Sequence, residues 1–177
     1  MRVPLVRVQR VALLAGAVAV AAVGCAGSSG HGPATGPNTR QARFVAGADG
    51  VCTELEARLV ALPKPTPDQQ RQLGTPTPDS ATLRAAGDQL AANDLKAFED
   101  ALQRLRALGK PPGNPVAWQQ FLDAFQAWID AFKAQIAAMR SGNVGAFQAT
   151  AKHVTDLGQN VVDPAAGTAG IKACTFF

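Results

Sequence analysis

Three cysteines, two histidines and 13 carboxylates are the side chains best suited to chemistry, and the chain has no tyrosine. Metal binding needs several such groups to converge. His31 stands alone in a Gly/Ser/Pro-rich stretch, and His153 is the only histidine after it. Neither the Glu-x-x-His pair of a di-iron site nor the His-Glu-x-x-His of a zinc site occurs. Axial haem ligation by His153 and Met139 would need both to point into one pocket, which their positions do not demand. The Cys-x-x-Cys spacing of redox exchange is missing. Ser80 and Ser141 fall at helix termini, with no nucleophile elbow around either. No phosphate-binding glycine motif is present. Carboxylate pairs at glycosidase separation can be drawn from any acidic surface, so they single out nothing. The reading is of a non-enzymatic chain with no catalytic residues, no metal and no cofactor.

Residues 1–24 read as an export leader: Arg2, Arg7 and Arg10 form a basic start, and Val11–Val23 is apolar but short for a bilayer span. The segment closes Ala22-Val23-Gly24-Cys25, which resembles the lipobox of bacterial lipoproteins, with Ala22 where leucine is usual. The resemblance implies a diacylglyceryl group on Cys25, cleavage before it, and fatty acylation (palmitate or similar) of the new N-terminus. It places the mature chain on the outer face of the cytoplasmic membrane. The alternative is an ordinary signal peptide, or an uncleaved anchor, with Cys25 incidental. Residues 25–42, rich in Gly, Ser and Pro, read as the lipidated cysteine and a flexible tether.

Three of the 17 basic side chains leave with the leader, so 14 face 13 acidic ones in the mature chain. The basic excess is therefore largely a property of the leader and is no evidence for nucleic acid or for an anionic surface, and no basic run interleaved with aromatics occurs. With Cys25 given to lipid, Cys52 and Cys174 remain, an even pair in an exported chain. A structural disulfide between them is the favoured reading, with two free buried thiols as the alternative.

The element that must organise the rest is Asn114–Asn143. Advanced by 100° per residue, it gathers Trp118, Phe121, Leu122, Phe125, Trp128, Ile129, Phe132, Ile136 and Met139 on one face. Other helices must cover so heavy a stripe. The folded part, 43–177, supplies them. A first helix runs Thr39–Leu62, with Phe44, Ala48, Val51, Cys52, Leu55 and Leu59 on one face. A second spans Ser80–Leu108, its stripe passing through Leu83, Ala91, Leu95, Phe98, Leu102 and Leu105. Asp94 falls inside that stripe and would be a functional signal if partnered. A fourth helix begins after Asn143, with Val144, Phe147, Ala151, Val154, Leu157 and Val161 inward. Asp163-Pro164 is expected to kink it before a helical tail at Ala165–Ala173. The Pro-rich stretch 63–79 is expected to be a loop, with Thr66, Thr75 and Thr77 as compositional candidates for O-glycosylation. With no period-2 alternation, the expected fold is all-α: an up-down-up-down four-helix bundle closed by a Cys52–Cys174 disulfide.

The segment ADGVCTELEARLVALPKP, the helix ending LRALGKPP, the acidic-aromatic helix ending AAMRSGN and the terminal AGIKAC resemble a group of small actinobacterial envelope lipoproteins. Across residues 44–174 the resemblance implies a helical extracytoplasmic domain with a Cys52–Cys174 bridge, and it implies no activity. Two functions are compatible with these residues. The first is a monomeric, lipid-anchored interaction or structural module of the cell envelope, held to the membrane through acylated Cys25 and docking on an envelope protein. The second is a carrier of a small apolar ligand or lipid, in which Trp118, Phe121, Phe125, Trp128 and Phe132 line a cavity.

Overall fold

The computed structural model describes residues 37–175. The expected leader, Cys25 and the expected tether up to residue 36 lie outside the described residues. The helices are α1 (Pro37–Ala61), α2 (Pro67–Leu73), α3 (Ser80–Ala92), α4 (Asp94–Ala107), α5 (Pro115–Ser141), α6 (Val144–Leu157) and α7 (Asp163–Thr168), with a π-helical turn at Gly158–Val162. No strand occurs among the described residues.

Helix α5 is the axis. Asn114 caps it through its side-chain oxygen, which accepts the Ala117 N–H at 3.0 Å, and Pro115 occupies the first turn, where its missing N–H costs nothing. Gly142, left-handed at φ 70°, ends it; Gly142 N–H donates to Met139 and Asn143 N–H to Ala138. Helices α3 and α4 pack along one side of α5, α6 and α7 along another, and α1 lies on α4. Thirteen residues of α5 are buried, including all five of its aromatics.

Five expectations are corrected. Helix α1 starts at Pro37, two residues before the expected Thr39, so it takes in residues 37–42, which are also expected in the tether. The single helix over Ser80–Leu108 is two: Asn93 (φ −116°, ψ −67°) makes no side-chain cap and separates α3 from α4. Asparagine is a weak helix former, and the break lets α3 and α4 each settle on its own stretch of α5. Within 63–79, Pro67–Leu73 is helical, because Pro67 sits in the first turn and Thr66 and Gln69 form a reciprocal capping box. At the end of the chain, Pro164 is accommodated by the π turn, where Asp163 N–H reaches back five residues to Gly158. The wider turn relieves the clash a proline ring makes with the carbonyl four residues earlier. One added residue per turn also rotates the inward face, so Val162 is fully buried while Val161 is 42 % exposed. Helix α7 stops at left-handed Gly170, short of the expected helical tail to Ala173.

Candidate functional site

Cys52 on α1 and Cys174 near the C-terminus form a disulfide, with Cα atoms 5.2 Å apart and a sequence separation of 122. Both are fully buried. The backbone after α7 is aimed at this point by a helix stop. Gly170 N–H donates to Gly167 and Ile171 N–H to Ala166, which turns the chain back and buries Ile171. Asp49, one turn ahead of Cys52, then accepts the N–H groups of Lys172 and Ala173 through Oδ1, each at 2.8 Å. The tail is thus clamped twice, by a covalent bond and by a carboxylate. Asp49 belongs to the Ala-Asp-x-x-Cys stretch of the resemblance, but sequence reasoning assigns it no role. Its signal was its spacing from Cys52, but its partners are backbone groups that no side-chain pattern announces.

The five rings offered as a ligand lining are core. Trp118, Phe121, Phe125, Trp128 and Phe132 are each 1–8 % exposed. They stack along α5, Phe121 on Phe125 at 6.0 Å, Phe125 on Trp128 at 6.2 Å and Trp128 on Phe132 at 5.2 Å between centroids. Phe98 of α4 meets Phe125, Trp128 and Phe132 edge-on, at 6.3, 4.6 and 5.8 Å, and Phe44 of α1 meets Trp118 edge-on at 4.9 Å. Such edge and offset contacts are how close-packed aromatics satisfy their quadrupoles. The Trp128 indole N–H donates to the Val154 carbonyl at 3.1 Å, tying α5 to α6 just before the π turn.

The remaining chemistry is on the surface. A groove of about 400 Å³ runs between α1 and α4, floored by Val51, Leu55, Ala97 and Ala101. Two ion pairs cross it, Arg104–Glu54 at 2.5 Å and Arg58–Asp100 at 2.9 Å, with Lys96 also on Asp100 at 3.3 Å. The hydrogen bond from Arg104 holds Glu54 below its ordinary pKa, and that from Arg58, with help from Lys96, does the same for Asp100. These pairs are exposed, so they set register rather than supply much stability. A second hollow, about 630 Å³, lies where α4 passes into α5 and is edged by Arg106, Lys110, Val116, Trp118 and Asp123.

Asp94 sits in the first turn of α4, half-buried, and burial pushes its carboxyl above the usual range. His153 is exposed on α6, whereas Met139 is buried against Leu83 and Ala86 of α3. Ser80 opens α3, its hydroxyl 3.4 Å from the Gly142 carbonyl, and Ser141 closes α5, its hydroxyl donating to Ala138 at 2.8 Å. Among the described residues, no three of His, Cys, Asp and Glu converge as a metal site would require, and no helix is long and apolar enough to cross a membrane.

Fold and surface together define an all-helical domain closed end to end by a disulfide. Comparison with family models, curated proteins and solved structures finds no match for the chain.

Proposed function

We propose that the chain is an extracytoplasmic lipoprotein, anchored through acylated Cys25, whose domain is a non-catalytic interaction or structural module of the cell envelope. The Cys52–Cys174 disulfide is the observation that carries this reading, since such bonds persist in oxidising compartments. It accords with the leader and lipobox pattern of residues 1–25. With α3 and α4 counted as one rod broken at Asn93, and α6 to α7 as another, the helices follow an up-down-up-down course. The pairings Arg58–Asp100, Lys133–Glu99 and Trp128–Val154 support that course by matching the heights of successive rods.

The mutual stacking of the α5 rings favours the interaction module over the carrier. Space filled by Phe44 and Phe98 is not left for a ligand.

The reading is tested on protein extracted from membranes of cells that express the full chain. The N-terminal peptide should begin at Cys25 and carry the added mass of a diacylglyceryl group, and Cys25→Ala should release the domain from the membrane fraction. An unmodified Cys25, or a Cys25→Ala chain that stays membrane-bound, would overturn it.

A further inference from the structure

One end of the domain is uncommonly uniform in charge. The chain enters α1 there, and α4 returns to the same end. Gln41 Oε1 accepts the Gly113 N–H at 2.9 Å, and Leu108 reaches to within 3.6 Å of where a Gly47 side chain would begin. Residues 37–48 contain no Asp or Glu, and neither do residues 101–122. These two stretches carry Arg40, Arg43, Arg104, Arg106 and Lys110, of which Arg104 is paired with Glu54. The other four are exposed. Between them stand two of the large apolar side chains that the surface leaves uncovered, Val116 at 66 % and Leu108 at 36 % exposure. The carboxylate in the hollow that Arg106, Lys110 and Val116 edge is Asp123, two turns into α5, which accepts from Gln119 Nε2 at 2.8 Å.

We infer that this end of the domain rests on anionic phospholipid headgroups, with Arg40, Arg43, Arg106 and Lys110 facing the phosphates and Val116 and Leu108 entering the interface between them. The inference rests on the lipid-anchor reading, because the anchor then holds the entry end of α1 within reach of the membrane. Only eleven residues separate Cys25 from Pro37. Even fully extended they reach about 40 Å, so the entry end of α1 is the part of the domain that the tether itself keeps close to the bilayer. Each cation close to an anionic surface strengthens adhesion about fivefold, and four on one face act together. Exposed valine and leucine beside them add apolar contact, as in other peripheral surfaces. The lysines at the other end and on the sides, Lys64, Lys96 and Lys152, serve as internal controls: Lys64 lies just past the far end of α1, and Lys96 and Lys152 lie on α4 and α6.

The test uses the full-length, membrane-extracted protein, with the lipid on Cys25 first confirmed by the mass of the N-terminal peptide. It is placed in vesicles of phosphatidylcholine alone, or of phosphatidylcholine and phosphatidylglycerol in equal parts. Surface lysines are then labelled with a water-soluble amine reagent. On the anionic vesicles Lys110 should label several-fold more slowly than on the neutral ones, with Lys64, Lys96 and Lys152 unchanged. Replacing Arg43 and Arg106 by Gln should return Lys110 towards its neutral-vesicle rate, as should raising the salt until the Debye length falls to about 3 Å. Equal labelling of Lys110 on both vesicles, with the lipid present, overturns the docking surface and leaves the anchor reading intact. Slowing of every lysine alike overturns it too. An unlipidated Cys25 overturns the anchor reading itself, a result the mass measurement gives independently of the labelling.

Discussion

Asp49 accepts the backbone N–H of Ala173 at 2.8 Å across 124 residues of sequence, and the N–H of Lys172 with the same oxygen. The contact stands beside the Cys52–Cys174 bond and holds the tail in the direction the disulfide requires. Asp49→Ala would leave both N–H groups without their acceptor, one of them half-buried. Unfolding in urea with the disulfide intact should show a loss of about 1–2 kcal/mol. Asp49→Asn keeps a neutral acceptor in place and should lose less than half of that. Equal stability of Asp49→Ala and the parent chain would show that the clamp contributes nothing once the covalent bond is made.

The disulfide closes a loop of 122 residues in sequence separation, most of the folded chain. Chain-entropy reasoning assigns such a closure about 5 kcal/mol, acting on the unfolded state. Replacing both cysteines by Ala should therefore lower the urea midpoint by that equivalent while the helical circular-dichroism signal of the folded state is retained, since α3, α5 and α6 pack without it. Loss of the helical signal in buffer would show instead that the helices do not hold together without the bond.

The aromatic axis was legible in the sequence because its spacing matches one helical face and its caps, Asn114 and Gly142, are chemically distinctive. The stretch Ser80–Leu108 was legible in its stripe but not in its break. Leu90, Ala91 and Leu95 continue the apolar pattern across Asn93, and only packing against α5 decides that the axis turns there. The short α2 was hidden by its prolines, although the Thr66…Gln69 spacing that caps it is present in the letters. The π turn was hidden for a different reason. An inserted residue changes which valine faces inward, so a fixed 100° advance assigns Val161 to the core where Val162 belongs. For the candidate surface, charge was legible as a total but not as a distribution. The basic residues of 37–48 and 101–122 come together only when α4 returns antiparallel to α1.

Helices α3 and α5 are in close contact at Gly87. A Cβ there would lie 2.9 Å from both Met139 Cβ and Arg140 Cγ, and 3.1 Å from the Arg140 backbone nitrogen. Arg140 is also paired with Asp88 at 2.8 Å, so the helix cannot shift without disturbing that bridge. Gly87→Ala should destabilise by about 1–3 kcal/mol through overpacking. Gly50 on α1 is the matched control, with nothing within 4 Å of its missing side chain. Gly50→Ala should be neutral or stabilising by up to about 1 kcal/mol, because alanine loses less backbone freedom on folding. Thermal melts of the two variants side by side measure the difference; a Gly87→Ala protein as stable as Gly50→Ala would show that α3 is free to move away from α5.

Asp94 gives the chain a pH signature opposite to that of its other perturbed carboxylates. Burial raises its folded-state pKa, so its contribution favours the fold below the ordinary aspartate range and is lost as pH rises through the raised value. Glu54 and Asp100 are lowered by Arg104 and Arg58, so theirs is present above the ordinary carboxylate range and is lost as pH falls below about 4. Asp94→Asn removes only the first of these. At neutral pH it should stabilise the domain, by on the order of 0.5 kcal/mol once the favourable placement of a charge in the first turn of α4 is set against its burial. Near pH 3, where Asp94 is protonated in both states, the variant and the parent should unfold at the same urea concentration, both weakened by the loss of the Glu54 and Asp100 pairs. A variant less stable than the parent at pH 7 would mean that the charged Asp94 is held by the helix terminus more strongly than burial opposes it.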